Sequence, residues 1–271
     1  MAIITISRGS FSRGQEVAEK VAKKLNYGVL SREVVLETSK DFNIPEIKLI
    51  RAIHDAPSFL ERFTHGRERY LAQIESTILD HMEKDNIVYH GLAGHFFVRN
   101  ISHVLKVRII ADLEERVRTK TEREGIRRSQ ALAEIEKDDH ERRQWSLKLY
   151  GVDTWDSSLY DLVLHVRKLT VDHAADIIYH TVGLEPFQTT PDSQIEVEGL
   201  ALAARVKARI VDKYPVSKVT ARKGEVLVHV QAAETLLPAI EQDVERMVGR
   251  LAGLKELKVH IVTTTLFDGK L

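Results

Sequence analysis

The chain of 271 residues contains no cysteine, which excludes disulfides, thiolate metal sites and a cysteine nucleophile. It has no excess of either charge, since Lys plus Arg and Asp plus Glu both number 40. No global field draws it toward nucleic acid or an anionic membrane, so each basic cluster has to be argued locally. No apolar run approaches the roughly eighteen residues that cross a bilayer, and no transmembrane segment is expected. The first residues are strand-like rather than a charged leader before an apolar stretch, so no signal peptide is expected and the cytoplasm is the default location. Repeats and low-complexity tracts are also missing. The histidines do not group with metal-ligand spacing: His81, His90 and His95 fall on different elements.

What is present begins at residue 3. Ile3, Ile4, Thr5 and Ile6 form a β-branched run that reads as a buried strand. A small turn through Gly9 and Gly14 follows, then a helix with Val17, Ala18, Val21, Ala22 and Leu25 on one face. Strand, tight turn and helix N-terminus together can cradle a phosphate, because the turn's N–H groups and the helix dipole face one anion. Gly9 and Gly14 have the spacing of a Walker A loop, but Gln15 stands where its lysine belongs. Phe11 and Arg13 put a Cβ into this turn, which restricts positive φ and crowds a bound phosphate.

Strands are expected at Ala2–Ser7, Asn86–His90, Val104–Ala111 and Tyr160–Val166. Helices are expected at Gly14–Leu25, Arg32–Lys40, Arg67–Lys84, Leu113–Glu124, Ser129–Leu149 and Val171–Val182. The nearly continuous apolar strands and helical crossovers predict a doubly wound α/β domain with a parallel sheet, over residues 1–183. Residues 184–194, with two prolines and little apolar periodicity, read as a linker. Residues 195–271 follow an α-β-β-α-β order: helix Val197–Asp212, a hairpin of Val216–Ala221 and Glu225–Gln231, helix Leu236–Leu251, and strand Leu257–Thr264. They form a separate small α+β module.

The colinear series Ile6-Ser7-Arg8, Gly14-Gln15-Glu16-Val17-Ala18, Ser31-Arg32-Glu33 and Ile87-Val88-Tyr89-His90-Gly91 resembles the cytidylate kinase-like family. This is a branch of the P-loop nucleoside monophosphate kinases. The likeness continues through Val107–Arg116, Asp138–Arg142, Tyr150-Gly151 and Ser158–Leu164. It implies a parallel sheet with a phosphate loop, a nucleoside-binding helical region and an arginine-bearing lid. It further implies ATP and Mg2+ as cofactors and phosphoryl transfer to a nucleoside monophosphate, cytidylate by family name. The C-terminal module resembles a BON domain, through Val219–Val230 and Leu251–Val259, and implies a homo-oligomer or a protein partner. No nucleic-acid partner is expected.

Phosphoryl transfer is positioning plus neutralisation of charge, so candidate residues are donors, cations and metal ligands. Arg8, Gly9, Ser10, Ser12, Gly14 and Gln15 are candidates for nucleotide binding. Arg13, in place of the missing lysine, and the lid residues Arg116 and Arg142 are the catalytic candidates. Ser12 or Glu16 is the candidate magnesium ligand, and Arg32 the contact to the acceptor nucleotide. The remaining arginines of the lid segment (Arg118, Arg123, Arg127, Arg128 and Arg143) also read as a solvated, salt-bridged helix surface. Asp112 is expected to cap the helix that follows it. At Leu92 the family often has arginine, and His165 replaces a more usual asparagine. Asp153, Trp155 and Asp156 either frame a base or anchor the lid. Two readings stay open beside the enzyme: a nucleotide-binding regulatory protein with little turnover, whose C-terminal domain mediates association, and an oligomeric scaffold.

Overall fold

A computed structural model of the protein describes residues 1–31, 66–91 and 94–262. The elements begin β1 (Ile3–Arg8), α1 (Gly14–Leu25), β2 (Gly28–Leu30), α2 (Gly66–Met82), β3 (Ile87–His90), α3 (Gly94–Phe97) and β4 (Val104–Ile110). They continue α4 (Leu113–Glu124), α5 (Arg128–Tyr150), β5 (Leu162–His165), α6 (Val171–Val182) and α7 (Pro191–Ile210). Last come β6 (Lys218–Arg222), β7 (Glu225–Gln231), α8 (Leu237–Val248) and β8 (Glu256–Val262). The expected helix Arg32–Lys40 lies outside the described residues. The chain divides into two compact units. Among the described residues, one comprises 1–31, 84–91 and 94–193, the other 66–83 and 194–262.

The first unit is built on a parallel sheet in the order β2-β3-β1-β4-β5. Central β1 is buried from Ile3 to Ser7, with both faces covered as in a parallel sheet, so that even its polar Thr5 and Ser7 are enclosed. Alternation still decides which face each side chain takes. Ile4, Ile6, Leu105, Val107 and Ile109 share one core with Val17, Ala18 and Val21 of α1 and Ala174, Ala175 and Ile178 of α6. Ser7 and Arg108, register partners one position out of phase, fall on the opposite face. Each buried Val, Leu or Ile contributes about 1.5–3 kcal/mol. At the rim of this layer Lys20 meets Asp172 at 2.5 Å and Lys24 pairs with Asp176. Asn26, in the left-handed conformation, ends α1 by donating its N–H to the carbonyls of Ala22 and Lys23. β2, three residues at the sheet edge just before Ser31, is not among the strands expected from the apolar pattern.

The second unit has a three-stranded sheet in the order β6-β7-β8, antiparallel then parallel. Lys223 and Gly224 both have positive φ, the geometry of a two-residue hairpin turn. Val226, Val228 and Val230 pack with Val206 and Ile210 of α7 and Ile240, Val244 and Val248 of α8. Helix α2 groups with this unit rather than with the sheet that the sequence placed it beside. Arg205 of α7 explains the attachment, reaching Asp80 and Glu83 at 2.7 Å each, while Gln73 donates to the carbonyl of Ala208. Lys207 donates to the carbonyls of Tyr214, Pro215 and Ser217, closing the loop after α7.

The proline-bearing segment 184–194 carries a single 3-10 turn, Glu185–Phe187, and then the first turn of α7. Its Thr189 is tied to the first unit, donating its N–H and its hydroxyl to the carbonyl of Met1 and the hydroxyl to Asp85 as well. Proline here opens a helix, where its missing N–H costs nothing.

Candidate active site

The turn between β1 and α1 folds back on itself, with both the N–H and the hydroxyl of Ser12 donating to the carbonyl of Gly9, at 3.3 and 2.9 Å. The N–H groups that open α1 have no partner within the helix and project from its N-terminus. Phe11 and Arg13 adopt φ of 55° and 63°, a conformation that costs a residue with Cβ about 1–2 kcal/mol. The Phe11 cost has a visible offset. Its side chain packs on Val117, Ala131 and Ile135 of α4 and α5, and the Lys120 ammonium lies 4.7 Å from its ring centroid. Lys120 is held charged, because bonds to Glu124 and Glu134 outweigh its partial burial. Strain in the loop is thereby tied to the helical pair bearing the lid arginines.

Gly14 is required for a close approach and not for its dihedral angle. A Cβ there would lie 2.6 Å from the Cβ of Arg8 and 2.9 Å from its Cδ. At Gly9 a Cβ would lie 3.5 Å from the Arg116 guanidinium, an ordinary contact.

Two carboxylates of α5 close on the loop. Asp138 accepts from the Ser10 hydroxyl at 2.6 Å. Asp139 takes both arms of the Arg116 fork at 2.7 Å, while Arg116 Nε donates to the carbonyl of Ser10 at 2.6 Å. Arg116 is buried with all three nitrogens bonded and its charge matched by Asp139, so neutralising a phosphate requires it to leave Asp139. Sequence reasoning quoted Asp138 and Asp139 only as the prelude to Arg142. Their signal was two adjacent acids about one helical turn before that arginine.

Clefts flank the loop on both sides. One, of about 330 Å³, is lined by Arg8, Arg13, Arg123, Arg142, Glu16 and Asp138. In it Arg13 forks onto Glu16, which holds the guanidinium charged, and Arg142 lies 4.0 Å from Asp138. Gln15, at the cleft wall, donates to Glu19. The other cleft, of about 300 Å³, is lined by Gly9, Ser12, Arg108, Arg116, Trp155 and Val163. The structure thus gathers Arg8, Gly9, Ser10, Ser12, Arg13, Gly14, Gln15, Glu16, Arg116 and Arg142 around one loop. Arg32 lies outside the described residues.

The other lid cations are mostly paired. Arg118 meets Glu115, Arg128 meets Glu114, and Arg143 meets Asp153 while lying over the Trp155 ring. The Arg143 bonds, followed by the N–H of Trp155, hold Asp153 below the usual carboxylate range. The loop after α5 therefore anchors helix α5. Asp112 departs from its expected role. Its side chain caps nothing and lies instead 2.9 Å from His165 Nε2 and 3.0 Å from Arg167 Nε. Its backbone carbonyl still starts the helix by accepting from the N–H of Arg116. That pairing explains His165, which the sequence left without a role.

Residues 3–168 match the cytidylate kinase-like family. The chain belongs to that family. Among relatives of this cytidylate kinase-like protein, the cytidylate kinase of Staphylothermus marinus is 26% identical over 183 residues, 66% of this chain and 94% of its own. That of Pyrococcus horikoshii is 28% identical over 171 residues, 61% of this chain and 80% of its own. A solved structure from Eubacterium ventriosum, described as an uncharacterized protein, has the same fold at 23% identity and a TM-score of 0.50. It covers 67% of this chain and 98% of its own. The family match ends before α6 begins, so the part of the second unit from residue 194 onward lies outside it, while α2 of that unit lies within it.

Among the described residues no group of three or more His, Cys, Asp or Glu is placed to hold a metal. Magnesium does not need one, because it is usually held by one or two carboxylates with substrate phosphates and waters. Glu16 and Asp138, which line the same cleft, fit that requirement, whereas Ser12 lines the other cleft and donates its hydroxyl to the carbonyl of Gly9.

Proposed function

We propose that this protein transfers the γ-phosphoryl group of ATP to a nucleoside monophosphate, cytidylate being the acceptor its relatives' names favour. The observation that carries the reading is the phosphate loop with a cleft on each side, both bearing arginines. Two nucleotides have to meet at one transferred group, and two clefts at one loop provide for that. Donor phosphates sit on the loop N–H groups and the α1 N-terminus. Arg8 and Arg13 take the place of the lysine that Gln15 lacks, although a fork and an ammonium are not equivalent. Arg142, and Arg116 once drawn off Asp139, neutralise charge as it spreads over the transferred group, inside a site where low dielectric raises their effect. Magnesium, held through the phosphates by Glu16 or Asp138, would supply further neutralisation of the phosphate oxygens. Arg32 completes the acceptor side.

The domain organisation belongs to the same proposal: a kinase domain in residues 1–183, a connection at 184–194, and an accessory module in 195–271. The α-β-β-α-β order of α7, β6, β7, α8 and β8 supports a BON-like association module that joins copies of this chain or a protein partner. With no helix among the described residues long and apolar enough to cross a membrane, a cytoplasmic location fits.

The test is release of ADP from ATP with Mg2+ in the presence of each nucleoside monophosphate in turn, beside calorimetric titration of ATP. Turnover with one monophosphate supports the enzyme. Tight ATP binding without turnover on any of them refutes transfer and favours the regulatory reading. Absence of nucleotide binding leaves the scaffold.

A further inference from the structure

The second cleft contains a cation, Arg108, that no carboxylate among the described residues pairs with directly. Arg108 projects from β4 on the face away from α1, beside Ser7 of β1 and Val163 of β5, its partners in register. Its Nη1 donates to the hydroxyls of Ser7 at 3.2 Å and Tyr160 at 3.4 Å, and the guanidinium lies 5.6 Å from the Tyr160 ring centroid. These contacts engage one nitrogen. Among the described residues no carboxylate comes within ion-pair distance of Arg108. A half-buried guanidinium bonded only to neutral hydroxyls, with the Asp153 carboxylate acting on it only at longer range, has given up water without gaining a paired anion, and a cleft at that point invites one.

The hydroxyl network behind it is built and buried. The Tyr160 hydroxyl also donates to the carbonyl of Thr154 at 3.0 Å and lies 3.4 Å from His95 Nε2. Burial, then the charges of Arg99, Arg108 and Lys106, pulls His95 down to about 3. His95 is therefore neutral at physiological pH and leaves Arg108 as the cation of the cluster. The rest of the cleft sorts by chemistry. Gly9, Ser12 and Arg116 bring it against the phosphate loop, while Val163 and Trp155, 41% and 56% exposed, give it uncovered apolar surface.

We propose that Arg108 is the ligand for the phosphate of the acceptor nucleoside monophosphate, with Ser7 and Tyr160 as its positioning residues. The inference rests on the transfer reading above and extends it by naming the residue and the cleft. A monophosphate presents one compact dianion to the Arg108 fork, and its base presents a flat apolar face to Trp155 and Val163.

The experiment is calorimetric titration of the full chain and its Arg108→Gln variant with CMP, UMP, AMP and GMP, with cytidine as the phosphate-free control, and with ATP. Losing a charge-assisted phosphate contact weakens binding about 10- to 100-fold. We expect that loss for the monophosphate the wild type prefers, with ATP and nucleoside affinity within about twofold. Arg108→Lys, which keeps the charge on a shape the site is not built for, should fall between the two and guards against a folding defect in the glutamine variant. Unchanged monophosphate affinity in Arg108→Gln overturns the assignment and leaves the transfer reading intact. An equal loss for ATP also overturns it and moves Arg108 to the donor side. A wild-type chain that binds ATP but none of the four monophosphates refutes the transfer reading itself, and the inference with it.

Discussion

Replacing Gly14 with alanine tests whether the loop geometry serves nucleotide binding or only chain reversal. The added methyl would stand 2.6 Å from the Cβ of Arg8 and 2.9 Å from its Cδ, where carbon atoms ordinarily rest about 3.5–4.0 Å apart. About 1 Å of overlap must be relieved. The flexible end of Arg8 could swing aside from the second contact, but its Cβ is fixed to a backbone register-paired with Ile109 of β4. On the other side Gly14 opens α1, whose buried face is packed into the sheet core. The turn between them yields first. Overpacking of this kind costs about 1–3 kcal/mol. If the strain is expressed in the turn, ATP affinity should fall about 5- to 100-fold, since 1.4 kcal/mol is a factor of ten. Gly14→Val should be worse. Gly9→Ala is the internal control, because its methyl meets Arg116 at 3.5 Å and should change affinity less than about threefold by the same contact criterion. Calorimetry with ATP and Mg2+ measures the affinities and urea unfolding the overpacking cost. Unchanged ATP affinity in Gly14→Ala, or equal losses at both glycines, would refute the reasoning.

Asp139→Asn should lower unfolding stability by about 3 kcal/mol, because it breaks a largely buried two-armed pair and leaves Arg116 unmatched; a loss under 1 kcal/mol in urea unfolding contradicts this. Arg142→Ala, in an active enzyme, should lower kcat about 10²-fold with stability within about 1 kcal/mol, and normal turnover or a collapse in stability rules out a lid role. With His95 held down to about 3 against about 6.5 unfolded, the unfolded chain takes up a proton between those values that the folded one refuses. The His95 contribution is therefore fully present above about pH 6.5 and declines as pH falls toward 3, at up to about 1.4 kcal/mol per pH unit. His95→Gln should remove that increment from the acid slope, and identical slopes in the two proteins would show that His95 is not buried and neutral. In the second unit, Arg205→Ala leaves Asp80 and Glu83 facing each other without their cation and should cost about 1–3 kcal/mol; thermal unfolding reads the loss, and an unchanged midpoint contradicts the assignment of α2 to that unit.

The sequence alone determined the layered plan of the first unit. Buried parallel strands must be apolar on both faces, and α1, α4 and α6 carry their faces and boundaries in local periodicity, so Gly14–Leu25, Leu113–Glu124 and Val171–Val182 were legible residue for residue. Short elements were not. Three residues at Gly28–Leu30 and four at Gly94–Phe97 carry too little pattern to stand out from turns. The loop's candidates were also legible, because phosphate chemistry restricts which residues can line a strand–turn–helix. Tertiary structure decided which cations are spent and which are available. Arg116 is committed to Asp139 and Arg143 to Asp153, whereas Arg108 sits among hydroxyls. It also moved α2 to the second unit and turned Asp112 from a helix cap into the partner of His165 and Arg167. These are pairings between residues far apart in the chain, and periodicity reports only what a residue's near neighbours in sequence are doing.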